Sequence, residues 1–366
     1  MTRPRVLFVS RTRYSLPLAP SVAGKFDALA REVDVHVLAS AAKWSSNGDP
    51  MFTLVPPFPL RRLDGLAFWL ALPWRTARLL RQFRPDAVIC QTAYDAAAAL
   101  LARSLARVPS RVVVEVHGDW RTSTRLYGSP ARRLVARLGD LVAAGALRRA
   151  DAVRTVSPFT AGLVRELGVE PDADFPAYMD LEPFTAAPVP LPEHPRALFV
   201  GVLEAYKNVD GLAAAWRLVA PRVPGAELHL VGKGSRAAVA EALERDLGVR
   251  WDRELPPAGV ASALDDAWVL VLPSRSEGMG RVLVEAFCRG RGVVGTRAGS
   301  IPDLVADGGS GLLVDPDDAE ALADAIVRVL GDRALAEQLS TGARSAAAPW
   351  LQTSEEYARR VRELVE

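Results

Sequence analysis

The stretch that decides the fold is Pro273–Ala286, PSRSEGMGRVLVEA. Before it, the apolar segment Trp268 to Leu272 has the length and composition of a buried strand. Gly278 and Gly280 free the backbone in the polar turn that follows, and an apolar-periodic helix is predicted to begin at about Arg281. The sequence therefore predicts a strand, a turn and a helix N-terminus in immediate succession.

This helix N-terminus suits an anion. Its unpaired N–H groups and the positive end of the helix dipole attract phosphate, and the glycines let a ligand approach the backbone. Glu277 lies in the turn and Glu285 two helical turns further on. A carboxylate cannot hold phosphate, but it accepts hydrogen bonds from hydroxyl groups. Phosphate together with hydroxyls indicates a nucleotide sugar as the ligand.

Length and composition bound the class of protein. A chain of 366 residues exceeds what one core usually serves, so two domains are expected, and 49% hydrophobic with 24% charged residues is ordinary for a globular protein. Cys90 and Cys288 lie far apart in apolar runs, which argues against a disulfide framework or a zinc site. The apolar run at Val6–Val9 is too short for a signal peptide core, and no run reaches the ~18 residues of a spanning helix. We expect a cytoplasmic protein, with contact to the inner face of the membrane left open.

The charge is unevenly distributed. Residues 1–180 contain 25 Lys and Arg against 16 Asp and Glu, whereas the remainder contains 20 against 27. A basic first half suggests an anionic partner there, such as a membrane surface or a lipid-linked phosphate. The alternative that the basic residues are simply solvated on helix surfaces also remains open. No basic stripe interleaved with aromatic residues occurs, so nucleic acid is not expected as a partner.

Strand and helix patterns alternate in both halves, which predicts an α/β fold with two doubly wound, Rossmann-like domains. The first is placed at residues 1–184 and the second at 185–348, joined by an extended proline-rich linker, Pro171–Pro195. Two such domains would face each other across a cleft at the carboxyl ends of both sheets. A helix over 349–366 is predicted to pack back on the first domain. Its candidate buried face comprises Leu351, Tyr357, Val361 and Leu364.

The pattern from Glu277 to Glu285, in its Glu-Gly-x-Gly form, resembles the signature of the retaining glycosyltransferases of the large GT4 type, which have the two-domain GT-B fold. Similar segments in the second half are Phe199–Gly201 with Lys207, Val231–Gly234, Gly295–Val305 and Gly308–Pro316. The first half is similar more loosely, at His117–Asp119, Ala150–Ser157 and Met179–Phe184.

The resemblance implies transfer of a sugar from a nucleoside diphosphate donor on the second domain to a glycan or glycolipid acceptor on the first. It implies that Glu285 binds the ribose hydroxyls and that Glu277 lies by the hydroxyls of the donor sugar. Lys207 would neutralise the leaving diphosphate, and His117 would line the sugar from the other domain. The remaining donor-binding positions so implied are Gly278, Met279, Gly280, Arg281, Gly201, Gly232, Lys233 and Ser157.

Simpler interpretations stand beside these roles. Glu277 would serve equally as an acid favoured by the dipole near the helix N-terminus, and Glu285 as a surface acid. Lys207 would serve as a solvated cation and Ser157 as a helix cap. For Glu277, Glu285, Lys207 and His117 we favour the functional interpretation, and for Lys233 the two are evenly balanced. A non-catalytic nucleotide-sugar binder and a nucleotide-sugar epimerase of the same fold are the rival functions.

Glycoside hydrolysis by the two glutamates is disfavoured, because eight helical positions rise ~12 Å, more than the ~5–9.5 Å between glycosidase carboxylates. The Asp-x-Asp sequences Asp172–Asp174 and Asp315–Asp317 resemble metal-binding pairs, but they fall in the linker and in a polar turn. We therefore expect no metal cofactor, with the helix dipole, backbone amides and Lys207 in its place.

The sequence departs from the family pattern at Val202, where the family has a second arginine for the diphosphate. Either a different arginine substitutes or activity is weak; the candidates are Arg275, Arg281, Arg11 and Arg13. The glycine-rich loop usual after the first strand is also missing, because Arg11 to Gly24 contains one glycine.

One predicted helix, from about Leu66 to Gln82, is rich in both aromatic and basic residues. Preceded by Arg61 and Arg62, it reads either as a helix on a membrane surface or as an ordinary helix that covers the sheet. The sequence alone favours the second interpretation.

Overall fold

The computed structural model describes residues 3–42, 48–60, 64–122 and 130–366, without the side chains of 130–135. Arg61 and Arg62 lie outside the described residues. The chain divides into two compact units. The first unit runs to Tyr178 and includes Gln352–Glu366, and the second is built from Met179–Leu351.

The first unit is built on a seven-stranded sheet in the order β3-β2-β1-β4-β5-β6-β7, with every pair parallel. The strands are β1 Arg5–Tyr14, β2 Asp34–Ala41, β3 Phe52–Val55, β4 Ala87–Cys90, β5 Arg111–Val116, β6 Ala152–Thr155 and β7 Ala173–Asp174. The helices are α1 Pro20–Glu32, α2 Asp64–Phe83, α3 Ala93–Ala106, α4 Pro130–Leu147, α5 Pro158–Arg165 and, at the C-terminus, α13 Ser354–Val365.

Both faces of this sheet are covered, as the near-continuous apolar strands require. One hydrophobic cluster joins the sheet to α2, α3, α4 and α5, with Leu72 and Leu80 among its fully buried side chains. A separate cluster joins the sheet to α1 and α13 through Phe26, Leu29 and Tyr357.

The second unit is a six-stranded parallel sheet in the order β10-β9-β8-β11-β12-β13. Its strands are β8 Arg196–Val200, β9 Glu227–Val231, β10 Arg250–Asp252, β11 Val269–Leu272, β12 Gly292–Thr296 and β13 Gly311–Val314. Its helices are α6 Val209–Val219, α7 Ala237–Leu247, α8 Pro257–Asp265, α9 Arg281–Cys288, α10 Ile301–Leu304, α11 Ala319–Gly331 and α12 Arg333–Ala347.

The strand order places a topological switch point between β8 and β11. The chain winds outward from β8 to β9 and β10, and then returns to β11 on the other side of β8. Open α/β sheets bind ligands at the carboxyl ends of such strands. The segments after β8 and β11 carry Lys207 and Glu277, so the topology brings the two predicted residues to the same edge.

The proline-rich segment is more ordered than an extended linker. Asp174 pairs with Thr155 in the first sheet through β7, and Phe175 is buried in the first unit. Met179 and Phe184 are buried in a core of the second unit. The boundary therefore falls after Tyr178 rather than after residue 184, because the apolar side chains that follow it pack on the second sheet.

The C-terminal helix α13 belongs to the first unit and packs against α1. Tyr357, Val361 and Leu364 are buried, as the apolar spacing predicted. Leu351 is exposed and lies outside that helix, which begins at Ser354 with Thr353 as its N-cap, not at residue 349. The Thr353 hydroxyl and the Glu356 carboxylate form a capping box that fixes this start.

Candidate functional site

The turn between β11 and α9 has the predicted form. Gly280 caps the helix in a left-handed conformation, with φ of 59°, and a Cβ there would lie 2.8 Å from the Leu283 side chain. A residue other than glycine would be strained at this position. Helix α9 begins at Arg281, and Leu283 N donates to Gly280 O at 2.8 Å, so the N–H groups of Arg281 and Val282 are those that the start of the helix leaves without an acceptor in it. The turn therefore presents backbone donors and the positive end of the dipole at the carboxyl end of β11.

Glu277 and Lys207 form a buried ion pair in this turn. Lys207 Nζ lies 2.5 Å from Glu277 Oε1, and each side chain is only 10% exposed. Lys207 ends the short 3₁₀ turn after β8, and Glu277 follows β11, so the adjacency of these strands makes the contact. The sequence predicted each residue separately, and the structure brings them together.

The Glu277 carboxylate is anchored through one of its two oxygens. Oε1 accepts the hydrogen bonds from Lys207 Nζ and from Ser274 Oγ, the latter at 2.7 Å. Ser274 is fully buried, and its carbonyl oxygen accepts a hydrogen bond from Thr296 Oγ1. Both described bonds fall on Oε1, which leaves the lone pairs of Oε2 to accept from hydroxyl groups.

The loop after β12 supports the Glu277 backbone. Ser300 N donates to Glu277 O at 3.0 Å, and Gly299 adopts a φ of 58° beside it. A Cβ on Gly299 would lie 2.2 Å from Glu277 O, closer than any side chain allows. Gly299 is therefore needed for both its conformation and its close approach to the turn.

Gly201 and Gly232 pack backbone to backbone at the ends of β8 and β9. A Cβ on Gly232 would lie 1.9 Å from Gly201 O, and Gly201 N donates to Val231 O at 3.0 Å. Trp251 donates its indole N–H to Gly232 O at 2.9 Å. These glycines thus fix the loop that leads into Lys207.

Lys233 follows Gly232, and its carbonyl oxygen accepts a hydrogen bond from Leu203 N at 3.0 Å. Its side chain is 66% exposed and pairs with Glu254, which is 72% exposed, at 2.5 Å. An exposed pair of this kind contributes little to stability.

Glu285 lies inside α9, one helical turn after Arg281. The carboxylate is buried, and Arg281 Nε donates to Glu285 Oε1 at 2.7 Å. Burial raises the pKa of Glu285, and the neighbouring Arg281 charge opposes that rise. The result is a sheltered acceptor whose only described cationic partner is a half-exposed arginine.

His117 follows β5 in the first unit and is held by an acid that the sequence did not single out. His117 Nε2 lies 3.1 Å from Glu115 Oε2, and Glu115 is buried against the fully buried Arg154. Burial alone would raise the pKa of Glu115, but the Arg154 charge and the His117 hydrogen bond hold it well below its usual range. An ionised Glu115 accepts the Nε2 proton, so neutral His117 has its lone pair on Nδ1.

Ser157 serves as the N-cap of α5. Its hydroxyl accepts from Thr160 N at 3.3 Å, Ser157 N donates to Thr160 Oγ1 at 3.0 Å, and both residues are buried. This is the capping interpretation of Ser157; its role in donor binding stays a prediction.

The arginines proposed to replace the cation missing at Val202 are all engaged. Arg11 and Arg13 share Asp64 Oδ2 at 3.1 Å each, and Arg281 binds Glu285. Arg275 Nε lies 2.6 Å from Asp317 Oδ1, and its guanidinium also donates to Ala205 O. Val202 itself is 45% exposed.

Three acids of the two Asp-x-Asp sequences accept hydrogen bonds from other groups of the protein. Asp172 accepts from Val153 N, Asp174 from Thr155 Oγ1, and Asp317 from Arg275. No group of three or more potential metal-ligating side chains occurs within residues 3–42, 48–60, 64–122 and 130–366. Metal independence stays a prediction.

Sequence reasoning missed Ser274, Gly299 and Glu115. Ser274 stands three residues before Glu277 and Gly299 within the segment that resembles the family, but their contacts depend on neighbouring strands. Glu115 had a usable local indication, because a charged residue inside the apolar strand VVVEV predicts a buried partner.

Comparison with protein families matches both halves of the chain. Residues 19–173 match the model described as glycosyl transferase 4-like domain, and residues 194–332 match that of glycosyl transferases group 1.

Relatives of known activity match this chain over part of its length. The D-inositol 3-phosphate glycosyltransferase of Corynebacterium diphtheriae is 32% identical over 164 residues, which is 42% of this chain and 38% of the relative. The alpha-maltose-1-phosphate synthase of Mycobacterium tuberculosis is 29% identical over 267 residues, 69% of this chain and 68% of the relative. The chain thus spans only about a third of the length of the corynebacterial relatives it matches.

Solved structures share the fold over the whole chain. Sucrose-phosphate synthase from Thermosynechococcus elongatus superposes with a TM-score of 0.81 at 21% identity, covering 99% of each chain. Anabaena HepE, in complex with UDP and glucose, gives 0.72 at 16% identity over 99% of this chain and 100% of that chain.

Proposed function

The chain belongs to the group 1, GT4-type glycosyltransferases, and from that premise we propose that it moves a sugar from a nucleoside diphosphate donor to a glycan or glycolipid acceptor. The observation that carries the proposal is the Glu277 carboxylate, fixed through Oε1 by Lys207 and Ser274 beside the N-terminus of α9. Cation, hydroxyl acceptor and anion-binding backbone donors meet within one turn of the second unit.

Each group in this turn has a distinct task in the proposal. The first N–H groups of α9 and the helix dipole bind the diphosphate. Oε2 of Glu277 accepts hydrogen bonds from hydroxyls of the donor sugar, and Glu285 accepts them from the ribose. Lys207 has three N–H donors, of which one goes to Glu277 Oε1, so its charge also serves the oxygen that leaves with the diphosphate.

We propose further that transfer retains the anomeric configuration and needs no metal ion. Retention follows the family resemblance of the Glu277 to Glu285 segment, and metal independence follows from the cationic and dipolar groups already in the turn. His117 is proposed to line the donor sugar from the first unit, with Nδ1 accepting a hydroxyl proton. Product stereochemistry by NMR tests retention, and transfer with a chelator present tests metal independence.

Binding is tested first, by thermal unfolding of the full chain against a panel of nucleotide sugars and free nucleosides. A ligand that binds only the folded protein raises its melting temperature. Glu285→Ala is expected to abolish the shift caused by the preferred nucleotide sugar. The control is Glu320→Ala, an acid in the first turn of α11. A full shift in Glu285→Ala would refute the ribose assignment.

Catalysis is tested by nucleoside diphosphate release. We expect release above background only when an acceptor extract is added to the preferred donor. Tight donor binding with no release of nucleoside diphosphate, whichever acceptor extract is added, would favour a non-catalytic binder, the alternative that Val202 suggests. An epimerised donor formed without acceptor would point to an epimerase.

A further inference from the structure

Helix α2 is apolar on two sides. Phe68 and Leu72 are buried in the core of the first unit, as a helix that covers a sheet requires. Leu66, Leu70 and Trp74 nevertheless follow one another at four-residue spacing and are 57%, 62% and 66% exposed. Residues four apart share a helix face, so these three form an outward apolar ridge.

The two neighbouring helices extend this ridge. Helix α2 packs against α3, and α3 packs against α4. Leu101 and Leu105 of α3 are exposed at four-residue spacing, and Leu138 and Leu141 of α4 are 64% and 71% exposed. The α2–α4 surface is defined by these seven residues together with Val142, Arg75, Arg78, Arg81 and Arg137.

The charges of the α2–α4 surface have one sign. Its exposed ionisable side chains, over 64–83, 93–106 and 136–147, are all arginines. Asp64 and Asp95 are buried, and Asp140 is half-buried. By contrast α1 and α13, which cover the other face of the sheet, expose acids as well as bases. Those acids are Asp27, Glu355, Glu356 and Glu363.

We propose that the α2–α4 surface docks the protein on an anionic lipid bilayer. A contiguous exposed apolar patch marks an interaction site, and a tryptophan beside leucines and arginines is suited to the headgroup region. Each arginine near an anionic surface adds to the attraction. No described helix is long and apolar enough to cross a membrane, so the contact is peripheral.

Charge complementarity selects the bilayer over a second copy of the chain. A two-fold interface between two copies would place each arginine patch against or beside its equivalent, and like charges in contact oppose association. Anionic headgroups provide the opposite charge. For the choice of acceptor the inference rests on the proposed function, because a docked enzyme would meet a lipid-linked acceptor; the docking itself does not depend on it.

The test uses the full chain and vesicles of phosphatidylcholine, alone or mixed with phosphatidylglycerol, in a flotation assay. We expect flotation with the anionic vesicles at low salt and weaker flotation at high salt. Leu70→Ser/Trp74→Ser and Arg75→Glu/Arg78→Glu should each weaken partitioning at least about tenfold. The matched control, Leu218→Ser/Arg328→Glu, changes an exposed leucine and an exposed arginine of the second unit and should float normally.

Two further measurements separate the outcomes. Each variant should keep the native melting temperature and the nucleotide-sugar shift, so that loss of flotation is not loss of fold. Flotation that both surface variants retain, or its absence from anionic vesicles at low salt, overturns the inference. So does concentration-dependent self-association that the same variants abolish, since it would assign the surface to a second copy. Failed sugar transfer with intact flotation counts against the proposed function alone.

Discussion

The buried Lys207–Glu277 pair can be tested against a built-in control. Lys233–Glu254 is a lysine–glutamate pair at the same 2.5 Å separation, but its side chains are 66% and 72% exposed instead of 10% each. Replacing Lys207 with Met leaves the buried Glu277 carboxylate without its cationic partner, and Ser274 remains as its one described side-chain donor.

The expected cost differs sharply between the pairs. Removing one partner of a buried ion pair destabilises a protein by ~3–5 kcal/mol, and we expect the lower end because Ser274 still donates to Glu277. For a unit of this size that lowers the melting temperature of the second unit by about 6–12 °C. Lys233→Met should cost at most ~1 kcal/mol, because the surface pair is hydrated and screened.

Calorimetry and denaturant unfolding of Lys207→Met, Glu277→Gln and the double variant complete the measurement. Either single change leaves one buried group without its ionic partner. The double variant should therefore be more stable than the sum of the two single-variant losses predicts, with a coupling free energy of ~1–3 kcal/mol. Additivity within ~0.5 kcal/mol, or equal effects of Lys207→Met and Lys233→Met, would refute a buried, interacting pair.

Three other predictions follow from single sites. Burial raises the pKa of Glu285, so the stability that its protonated form provides at low pH is lost as pH rises through the ordinary carboxyl range. Glu285→Gln should therefore have a higher melting temperature than the native chain at pH 7 without ligand. The difference between the two melting temperatures should close near about pH 4. Glu115 has a depressed pKa, so its stabilisation is present at neutral pH and lost as pH falls below about 4; Glu115→Gln should lack this acid-dependent loss, and nitrogen NMR should show a changed His117 tautomer balance. Gly299→Ala should abolish the nucleotide-sugar shift, whereas Gly308→Ala, with φ of 75° but open space around it, should cost only ~1 kcal/mol and keep the shift.

The local part of the site could be predicted from the sequence because its determinants are local. A strand ending at Leu272, glycines in the turn and apolar periodicity from Arg281 each depend on residues within one stretch. The alternation of strands and helices likewise predicted two parallel sheets. The residues that contact this turn could not be predicted from local sequence. Lys207 is 70 positions from Glu277 and contacts it only because β8 lies beside β11.

The same limit applies to α2. Its sequence shows apolar residues and arginines, and both a sheet-covering and a membrane-surface helix are compatible with that composition. Choosing between Phe68 and Leu70 as the core residue requires the orientation of the helix on the sheet. The structure buries Phe68 and exposes Leu70, so the covering role and an outward apolar face coexist in one helix.

Val202 stands where the resemblance expects an arginine, and the contacts of Arg275 bear on whether that residue substitutes for it. Arg275 is the candidate substitute nearest in the chain to the Glu277 turn, yet its guanidinium binds Asp317 and donates to Ala205 O, in the 3₁₀ turn that ends at Lys207. Its backbone N–H also donates to Tyr206 O at 2.7 Å. Arg275 therefore acts through Lys207, by holding the segment that carries it. In the proposed donor complex Lys207 is partly neutralised by Glu277, so we expect the N-terminus of α9 to provide most of the remaining attraction for the diphosphate. Under the proposed function, a chain without the second cation should therefore depend on that helix N-terminus more heavily than one that has it.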